Sequence, residues 1–76
     1  MKALVTFLAK ALVDKPDMVQ VEEHEKDDVL VQVLRVAKDD LGKVIGKQGS
    51  TAKAIRTLLS VTAAKREKKC KLEIIE

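Results

Sequence analysis

Residues 41–56 read Leu41-Gly42-Lys43-Val44-Ile45-Gly46-Lys47-Gln48-Gly49-Ser50-Thr51-Ala52-Lys53-Ala54-Ile55-Arg56, and they hold all three glycines of a 76-residue chain. Leu41, Val44 and Ile45 fit one short helix that must stop at Gly46. A second stripe, Ala54, Ile55, Leu58, Leu59 and Thr62, follows at helical spacing in a segment running from Ser50 or Thr51 to about Lys65. Gly46-Lys47-Gln48-Gly49 joins the two. A Gly-X-X-Gly junction lets the backbone turn sharply with no Cβ in the way, so a phosphodiester chain can come close enough to meet peptide N–H groups. The second helix aims its unpaired N–H groups and positive dipole end at the same spot, and Lys43, Lys47 and Lys53 can surround it with mobile charge.

Outward from this junction the chain alternates between helical and strand periods. Leu4, Val5, Leu8, Ala11 and Leu12 recur at helical spacing, and Asp14-Lys15-Pro16-Asp17 breaks the pattern, which gives a first helix from about Lys2 to Val13. Met18 to Glu22 alternates apolar with polar. A charged stretch, Glu23 to Asp28, then leads as a turn into the apolar run Val29–Val36, and the two runs form a hairpin. The second run is apolar on both faces and suits a central strand, while the more polar first run suits an edge. Asp39 and Asp40 are candidate N-caps for the short helix. After a charged turn at Arg66-Glu67-Lys68-Lys69, Cys70, Leu72 and Ile74 alternate with Lys71 and Glu73 as a last strand. The order is α-β-β-α-α-β, and the periods select Leu4, Leu8, Leu12, Val31, Val33, Ile55, Leu58, Leu59, Leu72 and Ile74 as the core.

The composition excludes several classes. At 76 residues and 46% hydrophobic content there is one core and one domain, residues 1–76. No apolar run is long enough to span a membrane and the first residues lack a secretory cleavage site, so a cytoplasmic location is expected. One cysteine and one histidine supply neither a disulfide nor a zinc site, and no cofactor is expected. Phe7 is the only aromatic residue, which rules out modules that stack bases on exposed rings. The net charge of +3 is unevenly placed: residues 1–28 hold 4 Lys/Arg against 7 Asp/Glu, and residues 29–76 hold 11 against 5. A basic half points to a polyanionic partner.

A Gly-X-X-Gly alone arises by chance in roughly a third of chains this long at ordinary glycine use. Its flanks give it meaning: Ile45-Gly46 before the variable pair and Ile55-Arg56 after it resemble the signature of the KH domain. With the element order the chain resembles the type II KH fold, an α+β arrangement of a three-stranded mixed sheet with three helices on one face. The likeness extends over essentially the whole chain to the small stand-alone bacterial KH proteins. KH loops clamp about four backbone nucleotides of single-stranded RNA. By this resemblance Gly46, Lys47, Gln48 and Gly49 form the clamp, Lys43, Lys53 and Arg56 support it, and Val44, Ile45 and the Leu34–Val36 end of the central strand line a groove for the bases. Ser50 stands where many relatives carry a basic residue just after the second glycine, so one phosphate contact is expected to be weaker or replaced by a hydroxyl.

Each feature also has a plainer reading. Gly-X-X-Gly can be a bare helix–helix turn, a single lysine can be a solvated charge, Arg66, Lys68 and Lys69 suit solubility, His24 reads as a surface residue, and Cys70 as a buried inert thiol. No nucleophile–base pair, metal set or P-loop spacing is present, which argues against an enzyme. Two functions remain. One is a non-catalytic RNA-binding module acting in post-transcriptional regulation or as an RNA chaperone. The other is an interaction adaptor whose KH surface pairs two protein chains, and the resemblance implies pairing with itself or with a larger KH-containing RNA-binding protein.

Overall fold

Each amphipathic segment forms the element its period dictates. In a computed structural model describing residues 1–76, the helices are α1 (Lys2–Leu12), α2 (Leu41–Ile45) and α3 (Ser50–Ala64), and the strands are β1 (Gln20–Lys26), β2 (Val29–Arg35) and β3 (Lys69–Ile75). Single 3₁₀ turns occupy Pro16–Met18, Lys38–Asp40 and Lys47–Gly49. The sheet order is β1-β2-β3. β1 pairs antiparallel with β2 and β3 pairs parallel with it, the α2–loop–α3 segment making the crossover. This is the expected mixed sheet, with β2 in the centre and the helices on one face.

The hairpin differs from expectation in one respect. The acidic stretch is strand rather than turn: β1 continues through Glu23, His24 and Glu25 to Lys26, and only Asp27 and Asp28 turn the chain. Both have positive φ, 51° and 65°, the geometry of a two-residue turn that matches strand twist. His24 and Lys26 fall on the open face of the sheet, and Glu23 and Glu25, on the helix side, meet Gln32 and Lys68, so charge does not prevent pairing.

The core joins Val5 and Ala9 of α1, Val21 of β1, Leu34, Val36, Val44, Ile55 and Leu59, and Leu72 of β3. Ile55, Leu59 and Leu72 are buried as expected, with Leu4, Leu8 and Ile74 packed against them. Four expected core residues lie elsewhere. Val31 and Val33 face away from the helices, because Leu30, Gln32 and Leu34 take the inner face of β2. The polar Gln32 is fully buried, its Nε2 donating to Glu23 Oε1 at 2.7 Å, so the inner face is the one that carries the polar residue. Leu12 and Leu58 are exposed, the latter by 49%, since the buried stripe of α3 runs through Ala52, Ile55, Leu59 and Ala63 instead.

Asp40 fixes the loop-bearing helix to the rest of the fold. Its side chain caps no helix, contrary to the sequence expectation. It is buried and accepts hydrogen bonds from the backbone N–H groups of Asp14 (3.1 Å) and Lys15 (2.9 Å), pinning the α1–β1 connection to the start of α2. Burial alone pushes this carboxyl up, but the two N–H donors and the nearby Lys43 and Lys15 ammonium groups outweigh it and hold the group below its ordinary value. A depressed carboxyl contributes stability above its unfolded-state value, and that contribution disappears as pH falls through the folded-state value. Stability is therefore expected to drop below about pH 4. Urea midpoints measured across that range check this: Asp40→Asn lowers the neutral-pH midpoint and flattens the acid limb.

Candidate nucleic-acid interface

The α2–α3 junction is built so that its backbone faces outward. Gly46 ends α2 at φ 77°, ψ 171°, a region open essentially to glycine alone. A Cβ there would lie 2.2 Å from Thr51 Oγ1 and 2.8 Å from the Thr51 backbone nitrogen, so the first glycine is demanded by space as well as by dihedral angle. Gln48 (φ 56°) and Gly49 (φ 78°) follow in left-handed geometry, and the Gly49 N–H closes the turn on the Gly46 carbonyl at 3.1 Å. Lys47, Gln48 and Ser50 are exposed, and no side chain caps the N-terminus of α3. An anion approaching the loop thus meets a helix N-terminus with no competing side-chain acceptor on it.

From Gly49 a stripe of α3 continues through Lys53, Arg56 and Ser60, residues spaced to share one flank of the helix. Arg56 lies seven residues past Gly49, about 10 Å along the axis. There α3 and β3 enclose a cleft of about 340 Å³, lined by Arg56, Leu59 and Ser60 on one side and by Cys70–Glu73 on the other. β3 is an edge strand. The Lys69 N–H bonds the Asp28 carbonyl, and the Ile75 carbonyl accepts from Val36. Because peptide groups alternate along a parallel strand, those of Cys70, Leu72 and Ile74 point to the free edge. Arg56 reaches one of them, its Nη2 lying 3.5 Å from the Leu72 carbonyl oxygen.

The sequence-derived site residues separate into two sets. Gly46, Lys47, Gln48, Gly49, Ser50, Lys53 and Arg56 lie along the loop and its stripe, and Ile45 is partly exposed beside them. Val44 does not line a groove. It is fully buried, as are Leu34 and Val36, because the inner face of α2 and the end of β2 form the core itself. Lys43 turns the other way: its ammonium pairs with Asp14 and lies 3.8 Å from Asp40. The hydrogen bond to Asp14 raises its pKa above the ordinary lysine value despite partial desolvation. The wall of the cleft is instead β3. Its alternation was legible in sequence, whereas its exposed edge follows only from the parallel pairing. Cys70 is half-buried on this wall, and desolvation, with Glu23 nearby, pushes its thiol up and keeps it protonated.

A Gly-X-X-Gly turn between two helices, laid over a three-stranded mixed sheet in the order α-β-β-α-α-β, defines a KH domain of type II. The family model "KhpA/KhpB, KH domain" matches residues 2–74, and the chain belongs to this non-catalytic family. Among curated relatives, "RNA-binding protein KhpA" of Halalkalibacterium halodurans is 50% identical over 76 residues, covering 100% of both chains. The protein of the same name from Clostridium perfringens is 51% identical over 75 residues, 99% of this chain and 100% of its own. That of Chlamydia trachomatis is 46% identical over 76 residues, 100% of this chain and 97% of its own. No solved structure matches the chain. No helix is long and apolar enough to cross a membrane.

Proposed function

We propose that the chain binds single-stranded RNA without catalysis, holding the phosphate backbone on the Gly46–Gly49 loop and directing bases along the α3 stripe into the cleft against the edge of β3. The observation that carries this reading is the continuity of loop, Lys53, Arg56 and cleft on one flank of α3. The relatives named as RNA-binding proteins support the polymer, and the absence of exposed rings along this path supports backbone clamping over base stacking. A clamp that reads few base edges tolerates many sequences, which suits post-transcriptional regulation or RNA chaperoning in the cytoplasm.

The salt dependence of binding tests the assignment residue by residue. Each phosphate contact contributes about one unit to the slope of log affinity against log salt, somewhat less on single strands. Lys47→Ala, Lys53→Ala and Arg56→Ala are each expected to weaken binding and shallow the slope by less than about one unit. Lys43→Ala leaves the slope unchanged, because that ammonium is committed to Asp14 and Asp40. Equal losses from all four would show a diffuse attraction to the basic half of the chain in place of a clamp.

A second reading, an adaptor that pairs with itself or with a larger KH-containing RNA-binding protein, is favoured by one observation. Leu58 and Val61 on the flank of α3 away from the RNA stripe are 49% and 55% exposed. Pairing there would leave the loop free and place two clamps on one strand.

A further inference from the structure

The path of loop, Lys53, Arg56 and cleft runs out of cations on α3. Ser60 and Ala64 come next on that flank, and the helix stops at Ala64. The turn after it returns the chain to Lys69, so the end of the cleft farthest from the loop lies toward the start of β3, where Lys71 is part of the cleft wall. β3 is an edge strand, and Lys69 and Lys71 project from it on the face of the sheet that no helix covers.

Across that face the register sets two rows, His24–Val31–Lys71 and Lys26–Val29–Lys69. Lys26, Lys69 and Lys71 are exposed, and none of them belongs to an ion pair. Their neighbour Lys68 is tied to Glu25 on the helix side, and His24 to Glu22 at 3.4 Å. Neither row holds an acid. Glu22 and Glu73 stand in the adjoining row, and Asp27 and Asp28 close the other end in the hairpin turn.

We propose that these two rows extend the RNA site: a single strand longer than the clamped tetranucleotide leaves the cleft at Lys71, crosses the free edge of β3 and continues over Lys69, Val29 and Lys26. The inference rests on the reading that loop and cleft hold single-stranded RNA. Residues two apart on a strand are separated by about 7 Å and adjacent strands by about 5 Å. Lys69 thus lies about 7 Å from Lys71 and about 10 Å from Lys26 across β2, spacings that an extended nucleotide chain spans in one or two steps. The acids on both sides confine a polyanion to these rows. Val29 and Val31, half-buried, give unstacked bases an apolar floor between the cations. The peptide groups of β2 are paired on both sides within the sheet, so this surface reads no base edges. It lengthens the site and strengthens binding while leaving sequence tolerance as it is.

Fluorescence anisotropy of the full chain with 5′-labelled oligouridylates of five and ten nucleotides, titrated over a range of salt, tests this. The pentamer fills loop and cleft, and the decamer also reaches the extension. A phosphate contact on a single strand contributes about 0.7 unit of salt slope, so the three lysines should make the decamer slope steeper by about two units. Extra binding positions on the longer strand raise its affinity but not its slope. Lys26→Ala/Lys69→Ala should leave pentamer affinity unchanged, which also shows that the variant is folded. The same variant should weaken decamer binding at least about fivefold and reduce its slope by about 1.4 units. A decamer slope equal to that of the pentamer, or one that the variant leaves unchanged, overturns the extension and leaves the clamp standing. So does a pentamer weakened as much as the decamer, which would assign the two lysines to a diffuse attraction. A pentamer that binds Lys47→Asp/Gln48→Asp as tightly as the unaltered chain overturns the clamp, and the extension with it.

Discussion

Replacing Leu59 by Ala is expected to destabilise the domain by about 2–5 kcal/mol, whereas the same change at Leu58, one residue away, should cost less than about 1 kcal/mol. Leu59 is 1% exposed in the cluster that joins α3 to the sheet, and Leu58 is 49% exposed on the outer flank. Truncating the first leaves a cavity that helices packed on a three-stranded sheet have little freedom to fill. Total stability for a chain of this size is about 4–11 kcal/mol, so a loss at the upper end of the range unfolds a large share of molecules. Thermal midpoints distinguish the two positions directly: at about 4–8 °C per kcal/mol for a domain this small, Leu59→Ala falls by roughly 10 °C or more while Leu58→Ala moves by a few degrees. Equal shifts would place α3 in a different rotation about its axis, and with it the stripe that leads from the loop to the cleft.

The second large effect is on binding. Changing Lys47 and Gln48 together to Asp is expected to reduce affinity for single-stranded RNA by at least about 100-fold, because two carboxylates would stand where the phosphates must sit, beside a helix N-terminus that they would themselves satisfy. The fold should be retained. Both side chains are exposed, acids are favourable at the start of a helix, and Asp tolerates the left-handed geometry that residue 48 adopts at φ 56°. Circular dichroism alongside filter binding checks the two halves of this statement. A folded variant with undiminished binding would remove the loop from the mechanism.

Much of this was legible in the sequence because the decisive signals are local. The helix break at Gly46, the Gly-X-X-Gly spacing, the periods of α1 and α3, and the alternation of Cys70, Leu72 and Ile74 each depend on a few neighbouring residues. The unreadable features depend on partners distant in sequence. Either set of alternate residues in β2 could have faced the helices, since both are largely apolar, and Gln32 lies inside with its amide N–H received by Glu23 on the neighbouring strand and its Oε1 unpartnered. Asp40 looked like a helix cap because its true partners are the backbone groups of Asp14 and Lys15, about 25 residues earlier. The same pair of elements explains Lys43, whose charge was visible but whose commitment to Asp14 was not. Val44 stood next to the loop in sequence, and helical geometry turns it inward while Ile45 stays at the surface.

The clamp is most directly tested by titrating the protein with one RNA sequence as a single strand and as a duplex, at fixed salt. A duplex holds its phosphates on a rigid helical path and buries the base edges that the β3 wall would meet, so single-strand binding is expected in the micromolar range, roughly −8 kcal/mol, with at least about tenfold weaker binding of the duplex. Duplex binding of equal or greater strength would contradict it, because the interaction would then rest on the charge of the basic half and not on the Gly46–Gly49 loop and its cleft.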